Sequence, residues 1–180
     1  MKLDWRHIVD DNWTLFLDRD GVINRRIIGG YVTRWEEFEF LPGVLDAMRI
    51  FAQKFKYIVV ITNQQGVGKG LMTMEQLDAI HDRMCLEMEA HDGRIDGILA
   101  CPQLASEHDN YRKPDPAMAY TAKEIYPDID LKKTIMIGDG QSDIEFGRNA
   151  GTKTIFIGNE DPAADDSFPS LYDFAKSLLL

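Results

Sequence analysis

The chain has 180 residues, enough for one domain with a substantial core, and residues 1–180 read as a single unit. Its 30 acids against 20 bases leave a formal charge of −10, which argues against non-specific binding to nucleic acid, because that needs a basic footprint. No apolar run approaches the ~18 residues of a membrane span, and the start, Met1-Lys2-Leu3-Asp4-Trp5-Arg6, lacks the apolar stretch of a secretory leader, so a cytoplasmic protein with no membrane partner is expected. Cys85 and Cys101 lie in apolar surroundings and read as reduced core thiols rather than a disulfide framework.

In chain order, residues 1–12 read as a short arm. Trp13–Leu17 is an apolar run of strand length that delivers Asp18-Arg19-Asp20-Gly21. A strand ending in an acid places it at the carboxyl edge of a sheet, where α/β proteins hold their ligands. Asp18 and Asp20 then flank one point in space, which suits a hard divalent cation beside a phosphoryl group. Taken alone, the same residues make an ordinary Asx-rich turn, so the rest of the chain has to decide. Ile27–Val32 sets apolar residues around Gly29-Gly30 and predicts a small hairpin. Pro42 opens a helix carrying Val44, Leu45, Met48 and Phe51 at helical spacing.

Tyr57–Ile61 is a second buried strand, ending in the polar, glycine-rich stretch from Thr62 to Gly70. Thr73, with Gln76 three residues later, is a capping-box start for a helix with Leu77, Ile80, Met84 and Met88 on its apolar face. A third strand spans Ile95–Ala100, followed by a polar loop from Gln103 to Tyr111 and a helix from Arg112-Lys113-Pro114 to about Ile125. Thr134–Ile137 is a fourth strand, ending in Gly138-Asp139 with Asp143 four residues on, and a helix follows over Ser142–Ala150. Lys153–Ile157 is a fifth strand, Glu160–Asp166 an acidic loop, and Phe168–Leu180 a closing helix. Strands alternating with helices predict an α/β fold with a central parallel sheet covered on both faces.

A parallel sheet brings its strand ends to one rim. Asp18 and Asp20 end the first strand, Thr62 and Asn63 the second and Asp139 the fourth; Arg112 and Lys113 follow the third. Carboxylates suit Mg²⁺, while a hydroxyl, backbone amides and lysine suit phosphate.

These four signatures, in the chain order Asp18-x-Asp20, Thr62, Lys113 and Gly138-Asp139-x-x-x-Asp143, resemble the haloacid-dehalogenase-like (HAD) phosphohydrolase superfamily. The likeness covers nearly the whole chain and implies a HAD-like Rossmannoid three-layer sandwich. More narrowly, Phe16–Asn24, Gly30-Tyr31-Val32, Phe38-Glu39-Phe40, Thr62–Gly70, Cys101-Pro102 and Arg112-Lys113-Pro114 resemble D-glycero-D-manno-heptose 1,7-bisphosphate phosphatases and their histidinol-phosphate phosphatase relatives. That subgroup often carries a zinc loop of three cysteines and a histidine. Here Cys101 remains, but Gln103 stands at the histidine position and Tyr111 at a cysteine position. One cysteine cannot supply the four ligands of structural zinc, so zinc is not expected, and His108 reads as a solvated loop residue. Gly140 stands where many relatives have lysine.

The resemblance implies a Mg²⁺-dependent phosphomonoesterase acting on a small phosphorylated sugar. Asp18 would be the nucleophile that forms an aspartyl-phosphate, and Asp20 the acid and then base. Asp18, the Asp20 carbonyl and Asp139 would hold the metal. Thr62, Asn63 and Lys113 would hold the phosphoryl oxygens, with Asp143 orienting Lys113 or a metal-bound water. Arg112 could grip a second anionic group, and Arg19 and Lys69 are weaker choices for that task, equally readable as solvated bases. Neither gap between strands can house a cap domain of ~50 residues. The site should therefore be open and bordered by Ile27–Tyr31, Gln64–Gly70 and Gln103–Tyr111, and a monomer is expected. Rival readings are a histidinol-phosphate phosphatase, a nucleic-acid 3′-phosphatase and a non-catalytic phosphate-binding scaffold.

Overall fold

Strand β1 (Thr14–Leu17) is buried along its whole length. Alternation along the strand sends Leu15 and Leu17 into one hydrophobic cluster and Phe16 into another, so β1 must lie inside a sheet covered on both faces. It does: the computed structural model, which describes residues 2–179, has β1 paired with β2 (Tyr57–Asn63) on one side and β4 (Thr134–Gly138) on the other. Outside these lie β3 (Gly97–Cys101) next to β2, and β5 (Lys153–Ile157) and β6 (Asp166–Phe168) beyond β4. The order is β3-β2-β1-β4-β5-β6, and every neighbouring pair is parallel.

Helices α2 (Val44–Lys54), α4 (Met74–Ala90) and α7 (Leu171–Ser177) contribute Val44, Met48, Phe51, Ile80, Met84 and Phe174 to the cluster under one face. Helices α5 (Ala117–Ile125) and α6 (Gln141–Ala150) contribute Met118, Ala122 and Phe146 to the other. The result is the expected three-layer α/β sandwich. The chain order reverses at β1, between β2 and β4, and the crevice beyond the strand tips at such a switch point is where open α/β sheets bind ligands. Among the described residues no helix is long and apolar enough to cross a membrane.

The capping box at the start of α4 is present as read, with Thr73 Oγ1 accepting from the Gln76 amide at 3.1 Å. Several readings need correction. No hairpin forms over Ile27–Val32: Ile28 and Gly29 make a turn, and Ile28 is 96% exposed, so its apolar neighbours find no cross-strand partner. Helix α2 starts at Val44, behind Gly43 at φ +77°, rather than at Pro42. Helix α5 starts at Ala117, and Arg112–Pro114 stay outside it. The glycine-rich loop holds a short helix, α3 (Gln65–Gly68).

The largest differences are at the two ends. The arm holds a short helix, α1 (Trp5–Ile8). Its Trp5 is buried, donates its indole N–H to Asp166 Oδ2 at 2.9 Å and meets Phe174 edge-to-face at 5.9 Å. The acidic segment ends in β6, a sixth strand, so α7 begins only at Leu171; Leu180 lies outside the described residues.

Candidate functional site

The tips of β1 and β4 come together because one residue has no side chain. Gly21 sits at φ +88°, and a Cβ there would stand 1.9 Å from Asp139 Oδ2. Only glycine meets both demands. Asp18 is fastened to β4 through its N–H, which donates to Ile137 O at 3.0 Å. Asp18, Asp20, Asn63, Arg112, Lys113, Asp139 and Asp143 thus line one cleft of about 410 Å³. Thr62 is fully buried beneath it.

Lys113 is the pivot of the cleft floor. Its Nζ donates to Asp143 Oδ1 at 2.6 Å, to Ile61 O at 2.8 Å and to Asp18 Oδ1 at 2.9 Å. All three ammonium protons are therefore used. Burial disfavours this charge, but Asp143 and Asp18 more than offset it and hold the ammonium above its usual range. Asp143 spends its other oxygen on the Gly140 N–H at 3.1 Å, so both its oxygens are occupied. For Asp18, burial and then the nearby Asp143 charge outweigh the lysine and push the carboxyl up to about 6.

Asp20 meets the opposite treatment. Burial pulls it up, but Arg19 and the neutral donors Asn24 and Gln64 hold it below the usual carboxylate range. Arg19 Nη2 donates to Oδ1 at 2.8 Å, Asn24 Nδ2 to the same oxygen at 2.9 Å, and Gln64 Nε2 to Oδ2 at 2.8 Å. Arg19 is itself wholly buried. This overturns both readings offered for it: it is neither a solvated base nor a side chain reaching for ligand. Alternation after β1 turns it inward, where Nη1 lies 3.0 Å from His81 Nε2. Arginine can only donate, so His81 must accept through an unprotonated Nε2. Burial, then the arginine charge, push His81 down to about 3, which agrees.

Gln64 also donates to Thr62 Oγ1 at 2.9 Å, and Thr62 finds only Asn63 O, at 3.5 Å, for its own proton. Asn63 clamps the Lys113 backbone, accepting from its N–H at 3.0 Å and donating to its carbonyl at 3.2 Å. Where zinc loops carry ligands, a side-chain amide ties the chain together. Gln103 Oε1 accepts from the Tyr111 N–H at 3.0 Å and lies 3.8 Å from Cys101 Sγ, while Arg112 Nη1 donates to Gln103 O at 3.3 Å.

One cation escaped the sequence reading. Arg26 Nη2 donates to Asp139 Oδ1 at 2.9 Å and to the Asp20 carbonyl at 3.0 Å. Asp139 is raised by burial and by Asp18, with Arg26 pulling it back. Carboxylate oxygens of Asp18, Asp139 and Asp143 lie within 4.8 Å of one another. Because Asp143 is committed to Lys113 and Gly140, the donors left for a metal are Asp18, Asp139 and the Asp20 carbonyl. These are hard oxygens already drawing in a cation, and they fit Mg²⁺. Lys69 stands apart from the floor, 5.2 Å from the Tyr31 ring centre. Arg19, His81 and Gln64 were legible only in part: His81 lies four residues from Leu77 on the inward stripe of α4, which a helical-period reading could have flagged.

The comparisons with known proteins agree on a family. A HAD-hydrolase-like family model matches residues 110–176. A D-glycero-alpha-D-manno-heptose-1,7-bisphosphate 7-phosphatase from Mycobacterium bovis is 39% identical over 173 residues, covering 92% of this chain and 91% of that protein. A protein of the same name from Campylobacter jejuni is 38% identical over 154 residues, covering 86% and 87%. The crystal structure of D,D-heptose 1,7-bisphosphate phosphatase from B. bronchiseptica, complexed with magnesium and phosphate, superposes with a TM-score of 0.84 at 29% identity, covering 93% of this chain and 98% of that one.

Proposed function

The chain belongs to the HAD-like phosphatases, a family of phosphoric monoester hydrolases, and from that premise we propose that it removes the 7-phosphate of a D-glycero-D-manno-heptose 1,7-bisphosphate, as one catalytic unit over residues 1–180. The observation that carries the chemistry is the Asp18 carboxylate on the cleft floor, one oxygen held by Lys113 and facing Asp139. The names of the relatives support the substrate.

In this reading Asp18 attacks phosphorus in line through the oxygen that Lys113 leaves free, and forms an aspartyl-phosphate. Asp18, Asp139 and the Asp20 carbonyl would hold Mg²⁺, which when bound would offset the repulsion between carboxylate and phosphate. The Asn63 N–H steadies the phosphoryl oxygens, Thr62 directs its spare proton there, and Lys113, its protons already committed, lends its charge. Asp143 keeps Lys113 aimed at Asp18. Asp20 protonates the leaving oxygen and then takes a proton from the attacking water. Its three donors make the ionised form its resting state. The incoming phosphoryl charge raises its hold on a proton, as any like charge would, and Asp20 takes that proton from water in the open cleft before passing it to the leaving oxygen. Arg112, at the cleft wall, suits the second phosphate as a bidentate donor.

The connections between β1 and β2 and between β3 and β4 carry loops, the helices α2 and α5 and a single 3₁₀ turn each, Trp35–Glu37 and Leu131–Lys133, which leaves the site open to a small sugar and to water. Water can then finish the cycle, which favours hydrolysis over transfer to another acceptor. The test is phosphate release with Mg²⁺ from both anomers of the heptose bisphosphate, histidinol phosphate and a 3′-phosphorylated oligonucleotide. The heptose bisphosphate should lead in kcat/KM by about two orders of magnitude. A lead by histidinol phosphate or by the oligonucleotide, or inertness toward all four, would overturn the assignment.

A further inference from the structure

We infer that Arg26 is a built-in cation that occupies the metal position until a divalent ion displaces it. The inference rests on the metal site proposed above. The same nitrogen, Nη2, donates to Asp139 Oδ1 and to the Asp20 carbonyl, at 2.9 and 3.0 Å. Those are two of the three donors left for a metal. Magnesium binds oxygen at about 2.1 Å, so an ion bonded to both oxygens would overlap the guanidinium, and the two cations exclude each other.

The need for such a cation follows from charge. Asp18, Asp139 and Asp143 crowd their oxygens within 4.8 Å, and Lys113 neutralises Asp143 and Asp18 but makes no bond to Asp139. Among the described residues the base bonded to Asp139 is Arg26. Its side chain is about half exposed, 52%, whereas Arg19 and Lys113 are sealed in. Arg25 beside it is anchored by its N–H to Glu39 O at 2.8 Å. The backbone is thus held while the Arg26 head group remains free to leave. It can swing outward along the cleft wall without moving the strands.

Two consequences follow. Arg26 stabilises the metal-free protein, and it raises the metal concentration needed to fill the site. The experiment compares wild type with Arg26→Gln, without substrate. Mn²⁺ binding is read by the loss of free-ion EPR signal, and thermal unfolding is read in EDTA and in saturating Mg²⁺. Arg26→Gln should bind Mn²⁺ about tenfold more tightly, equivalent to about 1.4 kcal/mol of lost competition. It should unfold at a lower temperature in EDTA and match wild type in Mg²⁺. Equal affinities, or the same loss of Tm under both conditions, would overturn the inference and leave the metal site standing. No Mn²⁺ binding by either protein would overturn the metal site and the inference with it. Should Arg26→Gln not fold, a wild-type structure with Mg²⁺ decides: the guanidinium must be out of hydrogen-bond range of Asp139, and finding it still there beside the ion would refute displacement.

Discussion

Two aspartates separated by a single residue sit in opposite surroundings. Asp18 belongs to a lysine-centred cluster in which two carboxylates share one ammonium, and it is pushed up to about 6. Asp20 belongs to an arginine-centred cluster in which one carboxylate receives three donors, and it is held low. The difference is one of supply. The first group is short of positive charge, with two carboxylates to one ammonium, whereas in the second the carboxylate is matched by an arginine of the chain. That contrast separates a carboxyl pushed toward its protonated form from one held ionised at rest.

The contrast can be broken from either side. Removing the proposed nucleophile has the largest effect: Asp18→Asn should cut turnover by roughly four to six orders of magnitude with far-UV circular dichroism unchanged, and retained activity would discard the covalent route. Next, Lys113→Met leaves Asp18 and Asp143 buried without their shared cation. It should cost about 3–5 kcal/mol in denaturant unfolding of the metal-free protein. A loss below about 1 kcal/mol, the scale of an exposed pair, would mean that the cluster is not short of charge.

The arginine side is tested by acid. His81 titrates near 6.5 in the unfolded chain and at about 3 in the fold, so between those values the unfolded state binds the extra proton. The His81 contribution to stability therefore falls as pH drops below 6.5, by about 1.4 kcal/mol per unit, or about 2 kcal/mol at pH 5, against an opposing contribution from Asp18, whose raised carboxyl takes up its proton first in the fold. His81→Gln can still accept from Arg19 and should flatten that part of the stability–pH curve; an unchanged slope would place the acid sensitivity elsewhere. Smallest, Gln64→Leu takes one donor from Asp20 and the partner from Thr62. It should cost about 1–2 kcal/mol and move the basic limb of the kcat/KM profile, set by loss of the Asp20 proton, to higher pH.

The sheet was legible because its strands are apolar runs ending in chemistry: Trp13–Leu17, Tyr57–Ile61 and Thr134–Ile137 all lie within or beside the observed strands. The sixth strand was not, since Asp166-Ser167-Phe168 has no pattern of its own and is fixed by partners far away in sequence, β5 and Trp5. Ile27–Val32 misled for the converse reason: it has hairpin composition, yet its surroundings offer no partner. In the site, the cleft-facing residues announced themselves by standing at strand ends. Arg19, Gln64 and Arg26 did not, because a base or an amide in a motif does not declare which way it turns. Direction was settled by alternation for Arg19, by the sealed space beneath the cleft for Gln64, and by the pull of unbalanced acids for Arg26.

Gly21 carries a consequence beyond its own turn. Since any side chain there would fall on the Asp139 carboxylate, the spacing between the first and fourth strand tips is gauged by a missing methyl group. A single added carbon, as in Gly21→Ala, would act as a wedge, prising apart the jaws on which the whole cleft closes while leaving every charged residue in place.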